Sequence, residues 1–151
     1  MKKLILLTLL IYIALPSQSF GQEQIKKDRA EAIYLGHKAL VETQNFKFVA
    51  DWVFNDGKRK EVPGDLNTIR INTSEVKGLL ATFDSANKIY GFKDKLEDYS
   101  TQFNDGEQQI TIQFKTGMYH ITITIKPNGN AFLDLSANNS KLATYRGVIT
   151  K

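Results

Sequence analysis

The chain has no cysteine. That removes disulfide staples, thiol nucleophiles and Cys-based metal sites. It also denies an apolar leader the residue to which a bacterial lipoprotein's lipid is attached. Histidine is nearly as scarce: His37 and His120 are the only imidazoles. No apolar run reaches the length of about 20 residues that a bilayer-spanning helix needs. Nor is there a marked excess of one charge. The formal net charge is +4, and Lys2 and Lys3 of the leading segment supply two of those charges. The densest basic cluster, Lys58-Arg59-Lys60, is flanked by Asp56 and Glu61. It reads as a solvated loop and not as the basic stripe of a nucleic-acid interface. No H-E-x-x-H, P-loop or G-x-G-x-x-G pattern occurs, and nothing in the sequence calls for a cofactor or a metal.

What is present begins with a leader. Met1-Lys2-Lys3 is a short positive start, Leu4 to Leu15 is apolar apart from Thr8, Pro16 breaks the run, and Ser17 to Gly21 is mostly small and polar. This is the three-part pattern of a secretory signal peptide, with Ser19 and Gly21 placing small side chains before a cut. Residues 1–21 are therefore expected to be a signal peptide and 22–151 a single β-rich domain, periplasmic or secreted, with no stable membrane span after cleavage. A mature chain of about 130 residues suits one domain and buries a core without staples.

The first element of that domain reads as a helix from about Ile25 to Gln44. Ala30, Ile33, His37, Leu40 and Val41 fall on one side at 100° per residue, with Lys27, Glu31, Lys38 and Glu42 on another. Lys27/Glu31 and Lys38/Glu42 are i,i+4 opposite-charge pairs. The period then becomes two. Phe46, Phe48, Ala50, Trp52 and Phe54 predict a long strand with one aromatic face, and Asp56-Gly57 predicts a tight turn. Thr68 to Asn72 and Glu75 to Phe83 are further strand candidates, while Asp84 to Lys95 reads as a loop or short helix. Four alternating segments close the chain: Ile110–Phe114, Tyr119–Ile125, Ala131–Ala137 and Leu142–Ile149. Their short turns predict an antiparallel meander with one buried and one wet face. The fold class is α+β, mainly antiparallel β: a leading helix plus a curved sheet or barrel of about eight strands. Phe54-Asn55-Asp56-Gly57 recurs as Phe103-Asn104-Asp105-Gly106. The flanks do not match, so this reads as repeated turn chemistry and not as a duplication.

Catalytic constellations are thin. His37 lies in the apolar stripe of the helix, and His120 lies on the wet face of its strand. Asp51, Asp134, Glu97 and Asp98 are the carboxylates that could pair for glycoside chemistry, but any β protein of this size carries such residues. No catalytic residue is assigned, and an enzyme is not expected. The aromatic residues carry more. If the sheet curls, Trp52, Phe48, Tyr119 and Tyr145 could line a ligand cavity, although packed core is the plainer role for such rings. Asn72-Thr73-Ser74 and Asn138-Asn139-Ser140 fit the N-glycosylation pattern and read as polar turns. Asp84-Ser85-Ala86 resembles a periplasmic O-glycosylation acceptor, which makes Ser85 a modification candidate.

The stretch Tyr119-His120-Ile121-Thr122-Ile123 is followed by Asn128-Gly129-Asn130-Ala131, by Ser136, Asn138 and Asn139, and by Tyr145-Arg146-Gly147. Together these resemble the domain of unknown function 4251 family, exported proteins of Bacteroidetes-type bacteria. The resemblance implies a signal peptide, a leading helix, a Phe-rich first strand and a closing strand, Gly turn, strand and Tyr-x-Gly strand. Ala39 through Phe48 fits the same plan. The family's Pro-Tyr-Phe-Gly-like middle segment is reduced here to Phe83, so a site in that segment does not carry over. The resemblance implies no activity. The reading is an exported, non-catalytic binding module for an apolar or amphipathic small molecule. The alternative is an envelope protein-interaction or structural domain with a filled core. A hydrolase of unrecognised type stands last.

Overall fold

The computed structural model describes residues 17–84 and 88–151, with side chains from Gln22 onward. The apolar run of the expected leader and the candidate Ser85 lie outside the described residues. Helix α1 spans Ser17–Glu42, so it begins ahead of the expected cut at Gly21. Its first turns, from Gln22 to Arg29, are exposed. The predicted stripe of Ala30, Ile33, His37, Leu40 and Val41 faces the protein, and Tyr34 joins it as a buried residue. Lys38 turns away from Glu42 to Asp105, 3.0 Å from Oδ1, and the Tyr34 hydroxyl donates to the same oxygen at 2.5 Å. One carboxylate thus pins the helix onto the sheet.

Ten strands follow: β1 Asn45–Asn55, β2 Lys58–Glu61, β3 Thr68–Asn72, β4 Glu75–Ala81, β5 Ile89–Lys95, β6 Glu97–Asn104, β7 Gln109–Thr116, β8 Tyr119–Ile125, β9 Ala131–Ala137 and β10 Ser140–Thr150. They form one antiparallel sheet in the order β5-β4-β3-β1-β10-β9-β8-β7-β6, with β2 paired to the second half of β1. The sheet curls into a half-barrel, and α1 lies against β1 and β7. β5 and β6 are consecutive in the chain yet form the two opposite edges. Leu96 joins them, its N–H still donating to Ser74 O at 2.9 Å. The Tyr119 ring stands 5.0 Å from Phe92 and 6.1 Å from Tyr90, which brings the start of β8 against the inner face of β5.

The four closing strands match the period-two reading. Ile110, Ile112 and Phe114, then Ile121, Ile123 and Ile125, then Leu133 and Leu135, then Tyr145 and Ile149 are all buried. Each fully buried side chain of this size contributes roughly 1.5–3 kcal/mol of transfer free energy. The expected leading helix and curved antiparallel sheet are present, and two segment readings need correction. Ile89–Lys95 is a strand, not a loop or short helix. Only Phe92 in it is buried, because an edge strand offers little apolar alternation. Lys58–Glu61 is a short strand paired with β1 and not a free loop. The tightness of the Asp56-Gly57 turn, with both residues at positive φ, forces that pairing. With these two and β6, which is almost entirely exposed, the curved sheet has ten strands where alternation counts about eight. The echoed Phe-Asn-Asp-Gly segments form different turns. Around the second, Asn104 Oδ1 accepts the Glu107 N–H and Gln108, not Gly106, takes the positive φ.

Candidate functional site

The concave face of the half-barrel is filled. Phe48 and Tyr145 are fully buried, packed with Phe46, Ile69, Ile71 and Leu133. The Tyr145 hydroxyl donates to Ala81 O at 2.8 Å, and burial drives its pKa well above the ordinary tyrosine range. These two rings are core.

Trp52 does not share their face. Cα pairing between β1 and β10 runs Ala50 to Gly147 and then Trp52 to Arg146, which leaves Asp51 as an extra residue. This β-bulge inverts the alternation: Phe46, Phe48 and Ala50 point inward before it and Val53 after it. A bulge re-aims the side chains beyond it, and here it turns Trp52 and Phe54 to the outer face. The Arg59 guanidinium lies 5.1 Å and that of Arg146 5.6 Å from the Trp52 ring centroid. Asp51 accepts from Arg146 Nε at 3.1 Å and Nη2 at 2.5 Å, which holds the guanidinium still more firmly protonated. The expected cavity beside Trp52 is therefore replaced by a cation–π stack on the outer face.

An open groove of about 680 Å³ lies at the edge of the sheet, between β4–β5 and the β7–β8 turn. Leu79, Phe92, Met118 and Tyr119 give it apolar walls, and Lys77, Lys93 and Asp94 give it polar ones. Leu79 is 46 % and Met118 58 % exposed, so these two side chains lack the cover that the core residues of the concave face have. Gly91 explains part of this: a Cβ there would rest 3.8 Å from Leu79, and its absence leaves the leucine open on that side. Gly117, at φ +56, lets the turn approach Asp94, whose Oδ2 would lie 3.0 Å from a Cβ at that position. Thr116, on the groove wall, is 2 % exposed with an unpartnered Oγ1. The Tyr90 pKa is raised by burial and then by the neighbouring Tyr119 and Asp84.

These features sit on a frame shared with other proteins. The family model described as "Domain of unknown function (DUF4251)" matches residues 28–149. The chain belongs to the DUF4251 family. It is similar to the crystal structure of a DUF4251 family protein from Bacteroides eggerthii DSM 20697, at 21 % identity and a TM-score of 0.64 over 78 % of this chain and 87 % of that one. At that identity the likeness shows a common fold. No curated protein matches.

For this DUF4251 chain the remaining candidates fall apart spatially. Tyr119 alone of the four aromatic candidates lines the groove. His37 packs against the Gly129 turn with its Nδ1 buried and unpartnered, and His120 is exposed. Asp51 is held by Arg146, Asp98 by Lys115 at 2.7 Å, and Asp134 by Lys141 at 2.7 Å and Thr144 at 2.5 Å. Among the described residues no three His, Asp or Glu side chains are grouped to hold a metal. The groove's main residues, Leu79, Phe92 and Met118, were not singled out from the sequence. An apolar residue on an otherwise wet strand face, as Leu79 is between Lys77 and Ala81, is the signal that could have found them.

Proposed function

We propose that this chain is a non-catalytic, periplasmic or secreted binding module that holds an apolar or amphipathic small molecule in the groove between β5 and the β7–β8 turn. The observation that carries this reading is the pair Leu79 and Met118, both exposed and both lining, with Phe92 and Tyr119, a space of about 680 Å³. That volume is within the usual range for small-molecule sites, which are mostly apolar with a few polar groups. An acyl or ring portion fits between these walls, and Lys77 and Lys93 stand where a polar head would lie. The export expectation rests on the leader pattern of residues 1–21.

The test uses the lone internal methionine. The sequence holds Met1 and Met118 only, so a ¹³C-methyl methionine spectrum, assigned with Met118→Leu, reads the groove directly. Titration with sodium laurate is expected to shift the Met118 methyl saturably. Leu79→Glu is expected to weaken that binding roughly tenfold or more, because a carboxylate is costly to desolvate against an apolar ligand. An unmoved Met118 signal at millimolar laurate, with the protein folded, refutes the site. The filled interior favours one second reading, an envelope protein-interaction or structural domain using the same exposed side chains. Native mass spectrometry of the chain purified from its host separates the two. A native-only mass increment supports the small molecule, and a clean monomer mass supports the alternative.

A further inference from the structure

Strand register assembles a feature on the outer face that belongs to no single segment. Lys47 pairs with Arg70, Arg70 with Lys77, and Lys77 with Lys93. Four cations therefore stand side by side across β1, β3, β4 and β5. The three steps span about 14 Å at the ordinary strand spacing. Arg70, Lys77 and Lys93 are exposed, and Lys47 is half-buried. Like charges directly opposite one another destabilise a sheet. The other described strand pairs set no like charges opposite one another, and Asp98 is ion-paired with Lys115, Asp134 with Lys141 and Asp51 with Arg146. Among the described residues Glu75, two positions before Lys77 on β4, is the one carboxylate ion-paired with this row.

The next row of the same face is apolar apart from Thr68. Val148 pairs with Val49, Val49 with Thr68, Thr68 with Leu79, and Leu79 with Gly91. Val148 is 44 % exposed, and Ile89, one pair beyond Gly91 on the same side of β5, is 56 % exposed. Past Val49, across the bulge, come Trp52 and its two arginines. Among the described residues the acids near this face include Glu75, Asp51 in its pair with Arg146, Asp134 in its pair with Lys141 of β10, Glu61 on β2 and Asp65 in the β2–β3 loop.

We propose that the outer face of β10, β1, β3, β4 and β5 docks on the surface of an anionic phospholipid bilayer. The cation row meets headgroup phosphates. Val148, Leu79 and Ile89 enter the boundary layer beside them, and Trp52 lies at the depth tryptophan prefers. Charge complementarity selects an anionic surface, and the adjacent aliphatic row selects a lipid one over a soluble polyanion. This inference stands on the register; it shares Leu79, Lys77 and Lys93 with the groove, and Arg70 and Val148, which do not line the groove, separate it from the small-molecule reading.

The experiment is flotation with vesicles of phosphatidylglycerol and phosphatidylcholine, against vesicles of phosphatidylcholine alone. All variants share one N-terminus, so their differences report the sheet face. Binding is expected only to the anionic vesicles, with a blue shift of Trp52 emission. Each surface cation contributes about fivefold in partitioning, so Arg70→Gln with Lys93→Gln is expected to weaken binding roughly 25-fold. Lys26→Gln with Arg29→Gln, an equal charge change on the exposed start of α1, is expected to leave it nearly unchanged. Leu79→Ser with Val148→Ser is expected to weaken it at constant charge. If the double cation variant fails to fold, Lys93→Gln on the edge strand carries the test alone, with about a fivefold loss. Equal losses from the two cation pairs overturn the proposal. So does binding to dextran sulfate that matches the vesicles and ignores the aliphatic pair.

Discussion

Tyr145→Phe removes one buried hydroxyl and nothing else. The ring is fully buried, and its hydroxyl donates to Ala81 O at 2.8 Å, tying β10 across the core to the end of β4. The substitution leaves that carbonyl without its donor, at a cost of about 1.5 kcal/mol at pH 7. Alkaline pH works the other way. Burial raises the folded pKa of Tyr145 above its ordinary 10.0. Its contribution is therefore whole below pH 10 and drains away as the pH climbs toward the folded value, because the unfolded chain ionises first. The loss is about 1.4 kcal/mol per pH unit beyond pH 10. Phenylalanine has nothing to ionise. Tyr34 and Tyr99, whose pKa values are both pushed up to about 12, are common to both proteins and cancel in the difference. Urea unfolding at a series of pH values is thus expected to show the wild type ahead by about 1.5 kcal/mol at neutral pH. The two proteins should then converge near pH 11. A gap that stays constant from pH 7 to pH 11 would falsify the buried, raised tyrosine, and no gap at pH 7 would remove the hydrogen bond.

Other perturbations test the rest of the frame. Gly147→Ala places a Cβ inside contact distance of Val49 O and Ala50 Cα at the bulge; it is expected to cost about 3 kcal/mol, read as a lowered urea midpoint at unchanged slope. Asp105→Ala strips the acceptor from buried Tyr34 and the partner from Lys38. Hydrogen exchange in α1 is expected to accelerate while the sheet is unaffected. The Asp105 pKa is lowered, first by its bond from Tyr34 and then by Lys38. The wild-type helix contact is therefore expected to hold above the ordinary aspartate range and to loosen as the pH falls below it. Thr116→Val replaces a buried hydroxyl that has no partner and is expected to raise stability by up to about 1 kcal/mol in thermal unfolding.

How much of this was legible in the sequence depended on whether a strand's two faces differ. In β7 to β9 every second residue except the half-buried Tyr119 is buried and its neighbours are wetter, so alternation alone places them. In β5 and β6 nearly every position is exposed. An edge strand has one neighbour and little core contact, and its composition looks like a loop. Trp52 continues the even-numbered pattern of Phe46 and Phe48 without a break in the sequence. The inversion comes from an extra residue opposite β10, whose partner Arg146 lies 95 positions along the chain. Tyr145 and Phe48, by contrast, lie on the inward face that their periods indicate. The groove and the cation row were hidden for a related reason. Leu79 and Met118, or Lys47, Arg70, Lys77 and Lys93, become neighbours only through register and curvature, and each alone is an ordinary residue on a wet face.

The strand order has a consequence for the timing of folding. β1 and β10, the first and last strands, are partners in the middle of the sheet, while the edges β5 and β6 adjoin halfway along the strand-forming part of the chain. β1 can pair early with β2 and β3, but its other edge waits for a strand roughly ninety residues downstream, the kind of long loop closure that slows β proteins. Until the C-terminal segment arrives, the protein is two separate meanders, each with an unpaired flank. A nascent chain therefore exposes its future centre, the flank of β1 beside Phe46 and Phe48, for longest. That stretch is where a chaperone would have most to cover.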